Sequence, residues 1–334
     1  MVLVTGATGI LGRVIALELL KRGKSVRATK RSSSNIDEVR KSFHFYTDQP
    51  DDFFNKIEWV DVDFADINSL QNVLNGVIEV YHCAGKVSFH PDDRRTMYHT
   101  NIEGTRWLLF ACEDSSVTKF CFVSSTAVLD GVDENGEVTE DSNYNSKLAH
   151  SSYAKSKHFS EMEVWRASAE GLNTVIINPG VIVGSGNWQS SSGEMFDAFS
   201  KYPYAMSGST AYIDVRDVSE IAISLMEKNI FGERFILISE SKKIVEVANF
   251  VRERLGKSKA KILSKDILTA GYVSNKLFGW LFPQLRIMSK VNLETVTSHQ
   301  IISNKKIKEE LDYQFIPVFE SIDFHLKNFI SAKK

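Results

Sequence analysis

The chain has 334 residues, and its 40 Lys and Arg against 42 Asp and Glu leave a formal charge of -2 at pH 7; no global field draws it to nucleic acid or to an anionic membrane. An apolar content of 43% over this length fills one large or two modest cores. Cys83, Cys112 and Cys121 are odd in number and widely spaced, with neither a C-x-x-C pair nor histidines at metal spacing, which predicts reduced core thiols and no metal. The opening apolar run is too short for a signal peptide, and no stretch reaches the roughly 20 residues of a membrane span. The expectation is a cytoplasmic protein whose partners are small molecules, with no nucleic acid and no membrane span.

Residues 1–4 form a short β-rich run that leads into Thr5-Gly6-Ala7-Thr8-Gly9-Ile10-Leu11-Gly12, then a helical pattern through Leu20 that stops at Gly23. Strand, glycine turn and helix together make a dinucleotide fingerprint meaningful. Gly6 permits the tight turn, Gly9 lets backbone approach a pyrophosphate at the helix N-terminus, and Gly12 allows close packing. Gly6, Thr8, Gly9, Ile10, Leu11 and Gly12 are therefore the expected phosphate cradle; a glycine-rich turn without a ligand is the bland alternative. Residues 25–29 read as the second strand, whose end meets a dinucleotide's adenosine ribose. Lys30, Arg31 and Ser32 stand there in place of a carboxylate. Cations attract a 2′-phosphate, so NADP(H) is expected over NAD(H), with NAD(H) kept as the second option. Solvated loop charges are the competing reading.

Residues 57–64 read as a third strand running into a loop, with Asp66 capping a helix over 67–75. Asp63 is placed to accept from an adenine amino group or to make a structural turn. Residues 77–85 form a fourth strand ending in Cys83-Ala84-Gly85, small residues along which a ribose could lie. His82, inside an apolar strand, reads as a satisfied core residue. A long apolar helix follows from Asn101 to Cys112. Residues 119–123 are a fifth strand ending in Ser124-Ser125-Thr126, hydroxyls at the edge where an α/β sheet binds its ligand. The acidic run between Asp130 and Asp141 reads as solvated loop.

A helix begins near Ser151 and carries Tyr153 and Lys157, four apart and so on one face. An ammonium beside a phenol favours the phenolate, which predicts a lowered Tyr153 pKa and a general acid/base for an alcohol/ketone pair. Taken alone the pair would be ordinary amphipathic surface. Residues 173–178 are a sixth strand closed by Pro179-Gly180. A glycine-punctuated excursion runs over 181–208; a return strand over 210–215 leads to Asp217, read as capping a helix over 218–228, and residues 235–238 are one more strand. Helices over 244–255, 267–282 and 318–330 follow. The apolar stretch 277–282 is too short for a convincing membrane face and is expected to be buried over a substrate pocket or in a dimer contact.

Together, the Thr-Gly-Ala-Thr-Gly-Ile-Leu-Gly turn, the hydroxyls after the fifth strand and Tyr153-x-x-x-Lys157 resemble the short-chain dehydrogenase/reductase superfamily, and the length and helical C-terminal part resemble its extended branch. The resemblance implies an α/β fold, a Rossmann doubly wound parallel sheet with helices on both faces. Residues 1–180, completed by about 210–238, would bind NAD(P); a small, mostly helical part within 181–334, made of 181–208 and 240–330, would bind substrate. It implies Tyr153 as acid/base, Lys157 holding the nicotinamide ribose and tuning Tyr153, and Thr126, with Ser125 as the fallback, binding the reacting oxygen. Asp63-Phe64 match adenine contacts, Cys83, Ala84, Gly85 and Pro179 match the segment along the cofactor, and Asn101 matches a structural position.

Arg27-Ala28-Thr29-Lys30-Arg31 is similar to dihydroflavonol 4-reductases; Asn187-Trp188, Ser190 to Ser192 and Tyr212-Ile213-Asp214-Val215-Arg216-Asp217-Val218 are similar to 3β-hydroxysteroid dehydrogenases. Asn178 and Val183 depart from the Arg and Tyr of sugar epimerases, and Ala127-Val128 stand where dehydratases carry Asp-Glu. The expected activity is an NADP(H)-preferring carbonyl reductase or alcohol dehydrogenase on a fairly apolar secondary alcohol, ketone or aldehyde. An NAD-dependent nucleotide-sugar epimerase is the same-fold alternative, and an NADP-binding redox-sensing regulator the alternative of another class.

Overall fold

The computed structural model describes residues 1–188 and 192–333; Ser190 and Ser191 of the 3β-hydroxysteroid-like match lie outside them. Seven strands form one parallel sheet: β1 (Val2–Thr5), β2 (Val26–Lys30), β3 (Glu58–Asp61), β4 (Glu79–His82), β5 (Lys119–Val123), β6 (Asn173–Pro179) and β7 (Glu233–Leu237). Their order is β7-β6-β5-β4-β1-β2-β3. The order reverses between β1 and β4, which opens a crevice beyond their carboxyl ends.

Alternation along each strand explains why both faces are covered. Val2 and Val4 of β1 join a cluster with Cys121, Val123, Val175, Ile177 and the helices α1 (Ile10–Lys21) and α5 (Val215–Glu227). Leu3, with Val80, Phe120, Phe122 and Ile176, points the other way, onto α2 (Ile67–Val73), α3 (Gly104–Glu113) and α4 (Ser152–Ala169). Strands apolar on both faces are stable only between two helical layers. Among the described residues all three cysteines are free; Cys112 and Cys121 are buried in the core and Cys83 is half-buried.

The smaller part has its own core of Val183, Phe196, Tyr212, Val251, Ile322, Leu326 and Phe329. Its sheet pairs Ser209–Asp214 parallel to Val181–Val183 and antiparallel to Glu240–Lys243. The return strand of 209–214 thus belongs to this second sheet, whereas α5 and β7 complete the large one. The C-terminal helix Val318–Ala332 is pinned across the two by a buried chain: Ser185 Oγ donates to His325 Nδ1 at 2.7 Å and His325 Nε2 donates to Asp214 at 3.1 Å. This Ser-His-Asp order mimics a hydrolase triad, but all three side chains are inaccessible and Arg216 neutralises Asp214 through two bonds.

Three local readings are corrected. The cap of α5 is Asp214, which accepts from Arg216 N–H at 2.8 Å; Asp217 lies inside the first turn, buried, accepting from the Tyr313 hydroxyl and Ile316 N–H. The acidic run is not uniformly solvated. Glu140 Oε1 accepts from Ile236 N–H at 2.8 Å on the outermost strand, and Asp130 pairs with His150 at 2.7 Å. Leu277, Phe278, Leu281 and Phe282 are each half or more exposed and Trp280 is 75% exposed, so no described residue of the same chain buries them.

Candidate active site

The glycine turn is shaped by contacts that only glycine allows. Gly6 sits at φ +65°, and a Cβ there would lie 2.6 Å from the Ala84 nitrogen. A Cβ on Gly12 would lie 2.4 Å from the Gly6 carbonyl oxygen, so Gly12 packs against the turn itself. The Gly9 N-cap brings no side-chain cap to α1, which leaves the first-turn amides of Ile10, Leu11 and Gly12 as donors at the positive end of a 12-residue helix. Thr8 contributes its carbonyl: Arg13, fully buried, donates to Thr8 O at 2.5 Å and to Gly9 O at 3.1 Å. Holding the Gly9 carbonyl turns the Ile10 amide of the same peptide the other way, while the Gly9 amide is taken by Gly6 O at 2.9 Å. Its place directly after Gly12 is the only sequence signal Arg13 offers.

On the far side of the switch point, His82 is buried and pushed down to about 3 by desolvation first and Lys157 second. Its tautomer follows from its neighbours. Thr105 Oγ1 donates to Asn101 O at 2.6 Å and accepts from His82 Nε2, so His82 Nδ1 accepts from Thr5 Oγ1 at 2.7 Å. The core reading of His82 holds. Phe64 packs on this ring at 6.0 Å. Cys83, Ala84 and Gly85 follow β4 into the crevice; burial pushes the Cys83 thiol up to about 12, which leaves it no nucleophile.

Tyr153 and Lys157 lie on α4, whose N-cap Ser151 accepts from Ala154 N–H at 3.1 Å. Lys157 Nζ donates to Val123 O at 2.8 Å, 5.0 Å from the Phe122 ring centroid. A Cβ on Gly85 would meet that Nζ at 3.2 Å, so Gly85 keeps the wall beside the ammonium open. Burial pushes the Lys157 amine down to about 8, against Cys83 and Glu161. Asn101, in a π-helical turn His99–Glu103, donates to Ser156 Oγ and Lys86 O, both at 2.9 Å, and accepts from Lys86 N–H. Such turns recur at functional sites.

Tyr153 departs from the expectation. Burial raises its phenol above the ordinary value and a hydrogen bond with Ser125 pulls it back; Lys157 is not among the groups that shift it. Ser125 also accepts from Ala127 N–H at 3.2 Å, which fixes its rotamer as the cap of the short turn Thr126–Val128. Thr126 opens that turn, and its hydroxyl makes no hydrogen bond among the described residues. Phe89 packs edge-on to Tyr153 at 6.0 Å.

One further residue was not read from the sequence. Glu161, two turns beyond Tyr153 and one beyond Lys157, is buried and raised by burial; it accepts from Asn178 Nδ2 at 2.7 Å while Asn178 also donates to Ser125 O. The i, i+4, i+8 spacing was the available signal. At the ribose end, Lys30 is spent on Asp61 at 2.8 Å, while Arg31 and Ser32 are exposed and the Arg31 side chain pairs with no acid among the described residues. Asp63 is exposed, with Oδ1 taken by Ala65 N–H at 2.9 Å. Pro179 is buried at the end of β6. The turn, the α1 amides, Gly85 and Lys157 thus line one crevice whose cradle a Cβ would fill, which suits a dinucleotide.

A model of the NAD dependent epimerase/dehydratase family matches residues 2–236. The chain is 28% identical over 263 residues to sterol demethylase protein B of Methylococcus capsulatus, covering 78% of this chain and 76% of that one. It is 29% identical over 247 residues to a putative dihydroflavonol 4-reductase of Synechocystis, covering 71% and 67%. The crystal structure of gox2253 superposes with a TM-score of 0.82 at 25% identity, covering 99% of this chain and 98% of that chain.

Proposed function

This chain belongs to the NAD dependent epimerase/dehydratase family and is an NAD(P)-dependent oxidoreductase acting on CH–OH groups; on that footing we propose that it reduces the carbonyl of a fairly apolar ketone or aldehyde, with NADP(H) preferred. The observation that carries this reading is Tyr153, held as a phenol by burial and joined to Ser125, above Lys157 and beside the open wall at Gly85. The nicotinamide, when bound, supplies or takes the hydride. Tyr153 would donate the proton to the carbonyl oxygen, Ser125 would orient that oxygen, and Lys157, with donors beyond the one given to Val123 O, would hold the ribose of the bound cofactor. Phe89 offers an apolar wall to the substrate. The names of the sterol and dihydroflavonol relatives support fused-ring, mostly apolar substrates.

Arg31 is the residue proposed to meet a 2′-phosphate, since Lys30 is already paired. The test is a panel of ketones, aldehydes and sugar nucleotides read by NADPH absorbance, with Tyr153→Phe beside the wild type. Loss of about 10²–10⁴-fold in kcat is expected for the variant; full turnover by it would overturn the mechanism. Equilibrium titration with both cofactors decides the preference, and equal or tighter NAD(H) binding would reverse it.

A further inference from the structure

The helix Lys265–Phe278 and the turn after it present their apolar side chains to solvent. Leu268 is buried, and Gly271 and Asn275 face Met288. At about 100° per residue, Ala270, Val273 and Leu277 lie on the opposite side. Val273, Leu277, Phe278, Trp280, Leu281, Phe282 and Ile287 are all exposed. Soluble monomers rarely show so continuous an apolar surface without a partner. Its charge is as distinctive. Between residues 257 and 290 the sequence holds Lys257, Lys259, Lys261, Lys265, Lys276, Arg286 and Lys290 against Asp266 alone, a net +6 in a chain of net -2. Lys265 and Lys276 border one edge of the apolar stripe, about 80° and 60° around the helix to the same side of Val273.

The same element borders the candidate site. Arg286 pairs with Asp92 at 2.7 Å, His90 Nε2 donates to Pro283 O at 2.9 Å, and Asn292 donates to Phe89 O at 2.9 Å. Phe89 is the residue whose ring meets Tyr153, so the exposed tip is tied to the mouth of the site. We propose that the 265–287 element is an interfacial docking surface for an anionic lipid bilayer, with Val273, Leu277, Trp280, Leu281 and Phe282 entering the headgroup boundary, the lysines facing acidic headgroups, and the mouth beside Phe89 turned toward the membrane. Exposed Trp, Phe and Leu with lysines along one edge are what such a surface requires. A second copy of the chain fits less well, because a two-fold contact would press one +6 segment against another. The face docks and does not span: no helix among the described residues is long and apolar enough to cross a bilayer.

Flotation of the full chain with vesicles of 30% phosphatidylglycerol in phosphatidylcholine tests this without turnover, so it stands or falls separately from the proposed reduction; Tyr153→Phe should float like the wild type. Binding is expected at 0.1 M salt, strongly reduced at 1 M where the Debye length falls to about 3 Å. Trp280→Ser with Leu281→Ser, and separately Lys265→Glu with Lys276→Glu, should each lower the bound fraction roughly tenfold or more while thermal unfolding stays unchanged. Failure to float with these vesicles at low salt, or flotation indifferent to both double variants, would overturn the proposal. So would a solution dimer that Trp280→Ser with Leu281→Ser converts to monomer, when no vesicle binding accompanies it.

Discussion

Lys157 sets a limit on the pH range over which the site works. Its amine is buried, donates to Val123 O at 2.8 Å, and is pushed down to about 8. The charged form therefore predominates below pH 8 and the neutral form above it. About nine tenths carry the charge at pH 7 and about one tenth at pH 9, so kcat/KM for carbonyl reduction should fall about tenfold between these values and a further tenfold per unit beyond. Tyr153 adds no second limb in this window, since burial moves its phenol upward and it keeps the proton. Initial rates of NADPH consumption at low substrate, from pH 6 to 9.5, give the profile of the free enzyme. Lys157→Met should lower the plateau and abolish the basic limb together. A wild-type profile flat to pH 9.5, or a limb near 8 surviving in Lys157→Met, would refute the assignment of that proton to Lys157.

The hydroxyl question is settled by a pair of variants: Ser125→Ala should cost kcat about 10–100-fold and Thr126→Ala markedly less, because Ser125 is the partner of Tyr153; the reverse order would restore Thr126. Gly12→Ala drives a Cβ to 2.4 Å from the Gly6 carbonyl oxygen, so it should destabilise the fold by about 1–3 kcal/mol and weaken cofactor binding in parallel, read by thermal unfolding with and without NADPH. Asp217 is raised to about 7, with burial as the main cause. A carboxyl whose folded pKa exceeds its unfolded value near 3.9 stabilises most below that unfolded value, and the contribution is lost as pH rises to 7, a swing on the order of 4 kcal/mol. Asp217→Asn should remove this slope, so urea unfolding at pH 4.5 and 8 should show the variant gaining on the wild type as pH rises; parallel pH profiles would exclude Asp217 as the source.

The features legible in the sequence are those with a local signature. The glycine turn, the strands apolar on both faces and the Tyr-x-x-x-Lys spacing each depend on neighbours within a dozen residues, and the structure puts them around one crevice. What escaped depends on partners far along the chain. Lys30 reads as a free cation until β3 sets Asp61 beside it, 31 residues away. Asp217 looks like a helix cap by composition, yet Tyr313 and Ile316 claim its carboxylate. Glu140 sits in a run that composition marks as solvated, but it closes the exposed edge of β7 at Ile236. The choice between Ser125 and Thr126 turns on which hydroxyl the bend after β5 aims at Tyr153, a matter of a single rotamer fixed by Ala127 N–H. Spacing on one strand end cannot specify that.

The proton inventory of α4 bears on which way the reaction runs. Tyr153, Lys157 and Glu161 succeed one another at single-turn intervals, from the half-buried mouth to the inaccessible core. Burial pushes the first and the third toward their protonated forms and the second toward its neutral form. Glu161 lies 3.6 Å from Arg234 and also feels Lys157, while the Lys157 ammonium donates to a backbone carbonyl. An epimerase must begin by taking a proton from an alcohol, which asks Tyr153 to be a phenolate at the start of the cycle. A reductase begins with the phenol and ends with the phenolate, which solvent then reprotonates. A phenol kept protonated by burial suits the second order of events, so Tyr153→Phe should abolish reduction of a ketone by NADPH, read as NADPH absorbance, and full turnover by the variant would refute this order.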